Sequence, residues 1–142
     1  MSEPLRPMPD PESAPFWAAT RRHVLTVQRC DDCGTWRFPP RPVCPRCGSV
    51  AATWTPTTGL GTLISWTVIH HVTHPAFAAQ VPYPVLLVQL DEQDDVVMYG
   101  NLRPADAQLR PEMRLRASFE DVDDELTLVQ WTPAADDGPP DR

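Results

Sequence analysis

Four cysteines are the residues whose type and spacing point most directly to chemistry. They stand as Cys30-Asp31-Asp32-Cys33-Gly34 and Cys44-Pro45-Arg46-Cys47-Gly48, with ten residues between Cys33 and Cys44, and the chain has no others. A Cys-x-x-Cys pair closed by glycine folds into a tight knuckle: both sulfurs face one point and the glycine lets the backbone turn through positive φ. Two facing knuckles make a tetrahedral four-sulfur cage. Zn2+ is its default occupant, because thiolates suit that ion and four protein ligands leave no open position for catalysis. Such a structural site contributes roughly 10–16 kcal/mol of apparent binding energy, more than the net stability of a small domain.

Other chemistry fits the same residues. Two disulfides would require an oxidising compartment, whereas Met1 to Pro7 contains no apolar run resembling a secretion signal. Redox work by one Cys-x-x-Cys would leave the second pair unexplained, and a mononuclear iron of rubredoxin type would use the same four ligands.

The elements that must position the cage follow from the rest of the chain. At 142 residues there is room for a metal-pinned module beside a domain of about 80 residues. The 18 prolines exclude long uninterrupted helices, and no apolar stretch approaches the ~20 residues that span a bilayer, so a cytoplasmic protein without a membrane contact is expected. Residues 1–12 read as a disordered, proline-rich tail. Ser13 is placed to cap a short helix with Pro15 in its first turn and Phe16 and Trp17 on its surface. Val24 to Arg29 alternates as a strand into the first knuckle, and Trp36 to Pro42 gives a short strand and a stiff approach to the second.

Beyond the ribbon, Thr58-Gly59-Leu60-Gly61 opens a series of strands. These are Thr62 to Val72, Val85 to Leu90, Val96 to Gly100, Met113 to Phe119 and Leu126 to Trp131, joined by polar turns. A long first strand followed by hairpin returns is what a small closed barrel of OB type requires. The expected architecture is mainly β: a short N-terminal helix and zinc ribbon over residues 13–52, a five-stranded OB-fold over 53–133, and a disordered acidic tail over 134–142.

Charge is unevenly distributed along the chain. Residues 13–46 carry six arginines against Asp31 and Asp32, residues 47–90 contain no Asp, Glu, Lys or Arg, and residues 91–142 hold five arginines against fourteen acids. An uncharged run of 44 residues is longer than one buried strand needs, so part of its surface is expected to lie against a partner or ligand.

In this order, the residues resemble a known family, the proteins that join an N-terminal helix and a rubredoxin-like zinc ribbon to a C-terminal OB-fold and accompany thiolase-like enzymes. The matching features are Phe16-Trp17, Gln28-Arg29-Cys30-x-x-Cys33-Gly34, Pro39 with Val43-Cys44-Pro45-x-Cys47-Gly48, Trp54 and Gly59-x-Gly61. The resemblance covers roughly residues 13–133. It implies a non-catalytic accessory subunit in acyl-CoA metabolism that binds a thiolase, a thiolase-fold aldolase or an acyltransferase and helps hold the thioester, while the reactive groups belong to the partner.

Within that reading the metal ligands are Cys30, Cys33, Cys44 and Cys47. Arg37, Arg41 and Arg46 are assigned to CoA phosphates or the partner, and Phe16, Trp17 and Trp66 to apolar contact. His71 and His74 are assigned to loop structure or to the partner. Adjacent His70 and His71 would point to opposite faces of a strand, so at most one could join His74 in a common site. The rival function is nucleic-acid binding, which ribbons and OB-folds both perform. It needs a basic barrel groove, and the barrel half is acidic.

Overall fold

The computed structural model describes residues 5–135, so the acidic segment after Ala135 lies outside the described residues. Helix α1 (Ala14–Arg21) buries Phe16, Ala19 and Thr20. It runs into a left-handed residue, His23, at φ 59°. The His23 N–H donates to the Thr20 carbonyl and the Val24 N–H to the Ala19 carbonyl, the paired bonds of a Schellman stop. Ser13 does not act as the expected side-chain cap. Its N–H donates instead to Asp10 Oδ1 at 2.7 Å. That bond and the Ser13 hydroxyl hold the Asp10 carboxyl below its ordinary pKa.

Strand β1 (Thr26–Cys30) lies between β2 (Trp36–Arg37) and β3 (Ala52–Pro56) in a three-stranded antiparallel sheet. Ala52–Pro56 therefore belongs to the ribbon sheet and pairs with β1 along its whole length. The reason is aromatic: Trp54 turns toward Phe16, ring centroids 6.3 Å apart, and so closes the space under α1.

The second sheet contains β4 (Leu60–Ile69), β5 (Tyr83–Leu90), β6 (Val97–Asn101), β7 (Arg114–Asp121) and β8 (Thr127–Pro133) in the order β6-β5-β4-β7-β8. A parallel bridge between Leu102 and Trp131 brings its two edges together, which closes the sheet in the manner of an OB barrel. Inward-facing Leu63, Leu86, Val88, Leu90, Leu115 and Trp131 are all fully buried. Gly100 makes room for the Trp131 indole, since a Cβ there would lie 2.6 Å from Trp131 Cδ1. Phe16, Leu25 and Val27 join this same core, so helix, ribbon and barrel share one apolar interior.

Two devices fix the ribbon on the barrel. Gln93, in the β5–β6 turn, receives the Trp36 N–H at 3.0 Å and donates to the Trp36 carbonyl at 2.7 Å, thereby standing in for a missing neighbour of β2. On the other side, His23 stacks on Phe119 with ring centroids 5.2 Å apart, and its Nε2 lies 2.9 Å from Asp121 Oδ1. The Asp121 carboxyl is held below its ordinary pKa by the Thr127 hydroxyl first and by His23 second.

Candidate metal centre and flanking surfaces

The two knuckles are built alike. Gly34 and Gly48 adopt φ of 76° and 78°. Each donates its N–H to the carbonyl of the first cysteine of its pair, Cys30 or Cys44. The N–H of each first cysteine in turn donates to the residue after the glycine, Thr35 or Ser49. This repeated turn presents all four sulfurs within 4.8 Å of one another. The nearest pairs, Cys30–Cys47 at 3.5 Å and Cys33–Cys44 at 3.7 Å, are far too long for disulfides. They are close to the ~3.8 Å between sulfurs arranged tetrahedrally around zinc at about 2.3 Å.

The electrostatics also call for a cation. The Thr35 hydroxyl and N–H pull the Cys33 thiol down to about 6. The backbone N–H groups of Cys47 and Arg46 lower Cys44. Cys47 is pushed the other way, to about 12: the Ser49 N–H lowers it, but the Cys30 thiol and burial prevail. Four adjacent sulfurs cannot all carry negative charge without a cation among them. Cys30, Cys33, Cys44 and Cys47 thus fit a structural zinc ion, which would supply cross-linking and leave no coordination position for a substrate.

The three arginines assigned to phosphate or partner contact are not equivalent. Arg41 and Arg46 are exposed. Arg37 is 95% buried, with Nε donating to Gln28 Oε1 at 2.9 Å and Nη2 to the Arg41 carbonyl at 2.9 Å, and its Nη1 has no partner. Gln28 also accepts the Arg41 N–H at 3.0 Å. Arg37 therefore positions the Pro39–Pro42 segment, and surface contact falls to Arg41 and Arg46. Their cleft, about 460 Å³, is also lined by Trp36, Phe38, Pro45 and Asp95. Gln93 was not singled out in the sequence, and Gln28 entered only as part of the motif before Cys30, with nothing to mark it as the acceptor that holds Arg37 and Arg41.

The aromatic and histidine assignments also divide. Phe16 is 7% exposed and packed against Trp17, Phe38 and Trp54, so its ring serves the interior. Trp17 is half-buried beside it. Trp66 is exposed on β4. His74 Nδ1 accepts the Ala76 N–H at 3.1 Å and caps a short 3-10 turn, Pro75–Phe77, while His71 lies exposed just beyond β4. The structure does not bring these histidines to the cysteines.

Comparison with known proteins matches residues 17–50 to the ChsH2 rubredoxin-like zinc ribbon domain and residues 54–120 to the ChsH2 C-terminal OB-fold domain. A solved assembly described as an Ltp2-ChsH2(DUF35) aldolase contains a chain 36% identical to this one, with a TM-score of 0.81; the match covers 92% of this chain and 100% of that chain. The 3-oxo-4,17-pregnadiene-20-carboxyl-CoA hydratase alpha subunit of Mycobacterium tuberculosis is 36% identical over 91% of this chain and 40% of its own length. A DUF35 domain-containing scaffold protein of Pyrococcus furiosus is 36% identical over 54% of this chain and 56% of its own. The chain thus spans only about half or less of the length of these two curated relatives. Among the described residues no helix is long and apolar enough to cross a membrane. With two adjoining domain matches, and a solved relative covered from end to end, the chain belongs to the ChsH2 family of rubredoxin-like zinc ribbon and OB-fold proteins.

Proposed function

We propose that this chain is a non-catalytic accessory subunit that binds a thiolase-like enzyme and helps hold an acyl-CoA thioester in lipid, steroid or polyketide-type metabolism. The observation that carries the reading is the cleft beside the metal knuckles, where exposed Arg41 and Arg46 stand next to Trp36 and Phe38. Two exposed guanidinium groups suit the diphosphate of CoA, and aromatic walls suit its adenine or pantetheine arm. The relatives' names lend support, since they include a CoA-ester hydratase subunit, an aldolase assembly and a scaffold protein. The nucleic-acid alternative has less behind it, because Asp121, Asp123 and Asp124 cluster on the barrel rather than a basic groove.

The test is acyl-CoA binding to the reconstituted complex with a thiolase-fold enzyme. Arg41→Ala and Arg46→Ala are each expected to weaken acyl-CoA binding about 10-fold, the worth of a charge-assisted hydrogen bond, with zinc content unchanged. Unchanged affinity in the double variant would reject the cleft as the CoA contact.

A further inference from the structure

The longest strand of the barrel is only partly used by it. β4 runs from Leu60 to Ile69, yet β7 pairs with it only at Leu60, Gly61 and Thr62. The Leu63 N–H donates to the Met113 carbonyl and the Leu63 carbonyl accepts the Glu112 N–H. Past that point no strand or loop among the described residues bonds to this flank. A bulge between Leu63 and Ser65 re-aims the strand, and from there to Ile69 it pairs with β5 alone. In an antiparallel strand alternate residues turn their N–H and C=O to opposite sides, so the distal half of β4 presents a row of open backbone groups.

Natural sheets guard such edges with charge, proline or a covering segment. This edge has none of these. Ser65 to Ile69 contains no proline, and no Asp, Glu, Lys or Arg occurs anywhere between Cys47 and Leu90. Beside exposed Ser65 and Thr67 it shows three large apolar side chains, Ile64 at 46%, Trp66 at 37% and Val68 at 43%. An unguarded apolar edge on a chain of net charge -7 is the form of an edge that is covered in use.

Charge limits the occupant. Neither β4 nor β5 offers a counter-charge to an ionised side chain opposite Ile64 to Ile69, so an uncharged, extended strand fits this edge best. A second copy of this chain meets that requirement but brings another net charge of -7 to the contact. We infer that the distal edge of β4 is completed by an uncharged β-strand of the enzyme subunit, which extends the barrel sheet through backbone hydrogen bonds. This rests on the accessory-subunit reading and specifies the surface through which it operates.

The experiment measures binding to a thiolase-fold enzyme whose gene neighbours this chain's, or to the Ltp2 component of the similar assembly, by calorimetry together with amide hydrogen exchange. Ile64→Lys combined with Val68→Lys restores charged guards to the edge. It is expected to weaken binding about 100-fold without changing zinc content or melting temperature. Tyr99→Lys, at a site 74% exposed on β6, with β5 between it and β4, is expected to bind as wild type. Amides within 64–69 should exchange more slowly in the wild-type complex than in the free chain. Wild-type binding with the double variant within threefold of it, or with no new amide protection in 64–69, overturns this inference and leaves the accessory reading standing. A wild type that binds neither enzyme overturns both. Self-association of the isolated chain that the double variant abolishes would give the edge to a second copy and overturn the inference.

Discussion

Around the knuckles the buried positions are largely polar: Thr26, Gln28, Thr35 and Arg37 lie inside with Cys30 and Cys44, Val27 alone of β1 joins the apolar core, and β2 is two residues long. In the barrel the buried positions are Leu63, Leu86, Val88, Leu90, Leu102, Leu115 and Trp131. The contrast extends to charge. The ribbon's buried cation, Arg37, has no carboxylate partner among the described residues and leans on Gln28 and a carbonyl. The barrel's buried cation, Arg114, meets Asp91 through two bonds of 2.7 and 2.6 Å. A region with little apolar interior needs a cross-link to hold its polar contacts in place, whereas a region with a continuous core can hold a paired charge on its own. The cross-link is therefore expected to matter most around the knuckles and β2 and least in the barrel core.

The largest expected effect comes from removing the cross-link. Cys44→Ser, at the more deeply buried member of the second knuckle, or treatment with a strong chelator, withdraws roughly 10–16 kcal/mol of apparent metal-binding energy from a module with no comparable substitute. Zinc stoichiometry should fall to near zero and protease cleavage should appear within 30–50, while the far-ultraviolet signal of the barrel strands persists. Full zinc content with unchanged protease resistance would break the contrast. A smaller effect is expected on the other side. Asp91→Ala leaves Arg114 charged and buried, with side chains that are 7% and 5% exposed in the intact pair. The barrel should lose about 3–5 kcal/mol in urea unfolding while zinc stoichiometry in the folded protein is preserved. If zinc were lost in parallel, the two regions would be one cooperative unit.

Legibility in the sequence follows the same division. The knuckles could be read because their geometry is local: two residues between cysteines and a glycine after each pair specify the turn without help from elsewhere. The barrel strands could be read because alternation marks a face. What could not be read depended on partners distant in sequence. Nothing near Arg37 distinguishes it from Arg41; only Gln28, across the β1–β2 pair, draws one guanidinium inside and leaves the other out. Trp54 reaches Phe16, 38 positions earlier, and the pairing of Ala52–Pro56 with β1 that accompanies it was not legible in the sequence. Ser13 has the right type for a cap, but its hydroxyl turns back to accept the Asp10 N–H at 3.3 Å. His74 was readable as a loop residue, but not that its ring holds the Ala76 N–H.

The seam between the regions gives the smallest effect. Gln93 projects from the barrel's β5–β6 turn and satisfies both backbone groups of Trp36, which would otherwise stand as an open edge beside the metal knuckles. Each such bond contributes about 1 kcal/mol net, so Gln93→Ala should cost the protein about 1–2 kcal/mol. The loss should appear in one place. β2 has only Gln28 and Arg29 of β1 as ladder partners, so its amides should exchange faster, while those of Leu86 and Val88 in the barrel core remain slow. Gln93→Glu separates shape from charge, because a carboxylate can accept the Trp36 N–H but cannot donate to its carbonyl. If exchange in β2 rises in Gln93→Ala and about half as much in Gln93→Glu, the barrel supplies the ribbon's missing strand through a single side chain. If β2 is as slow in both variants as in wild type, the metal alone holds the ribbon in place.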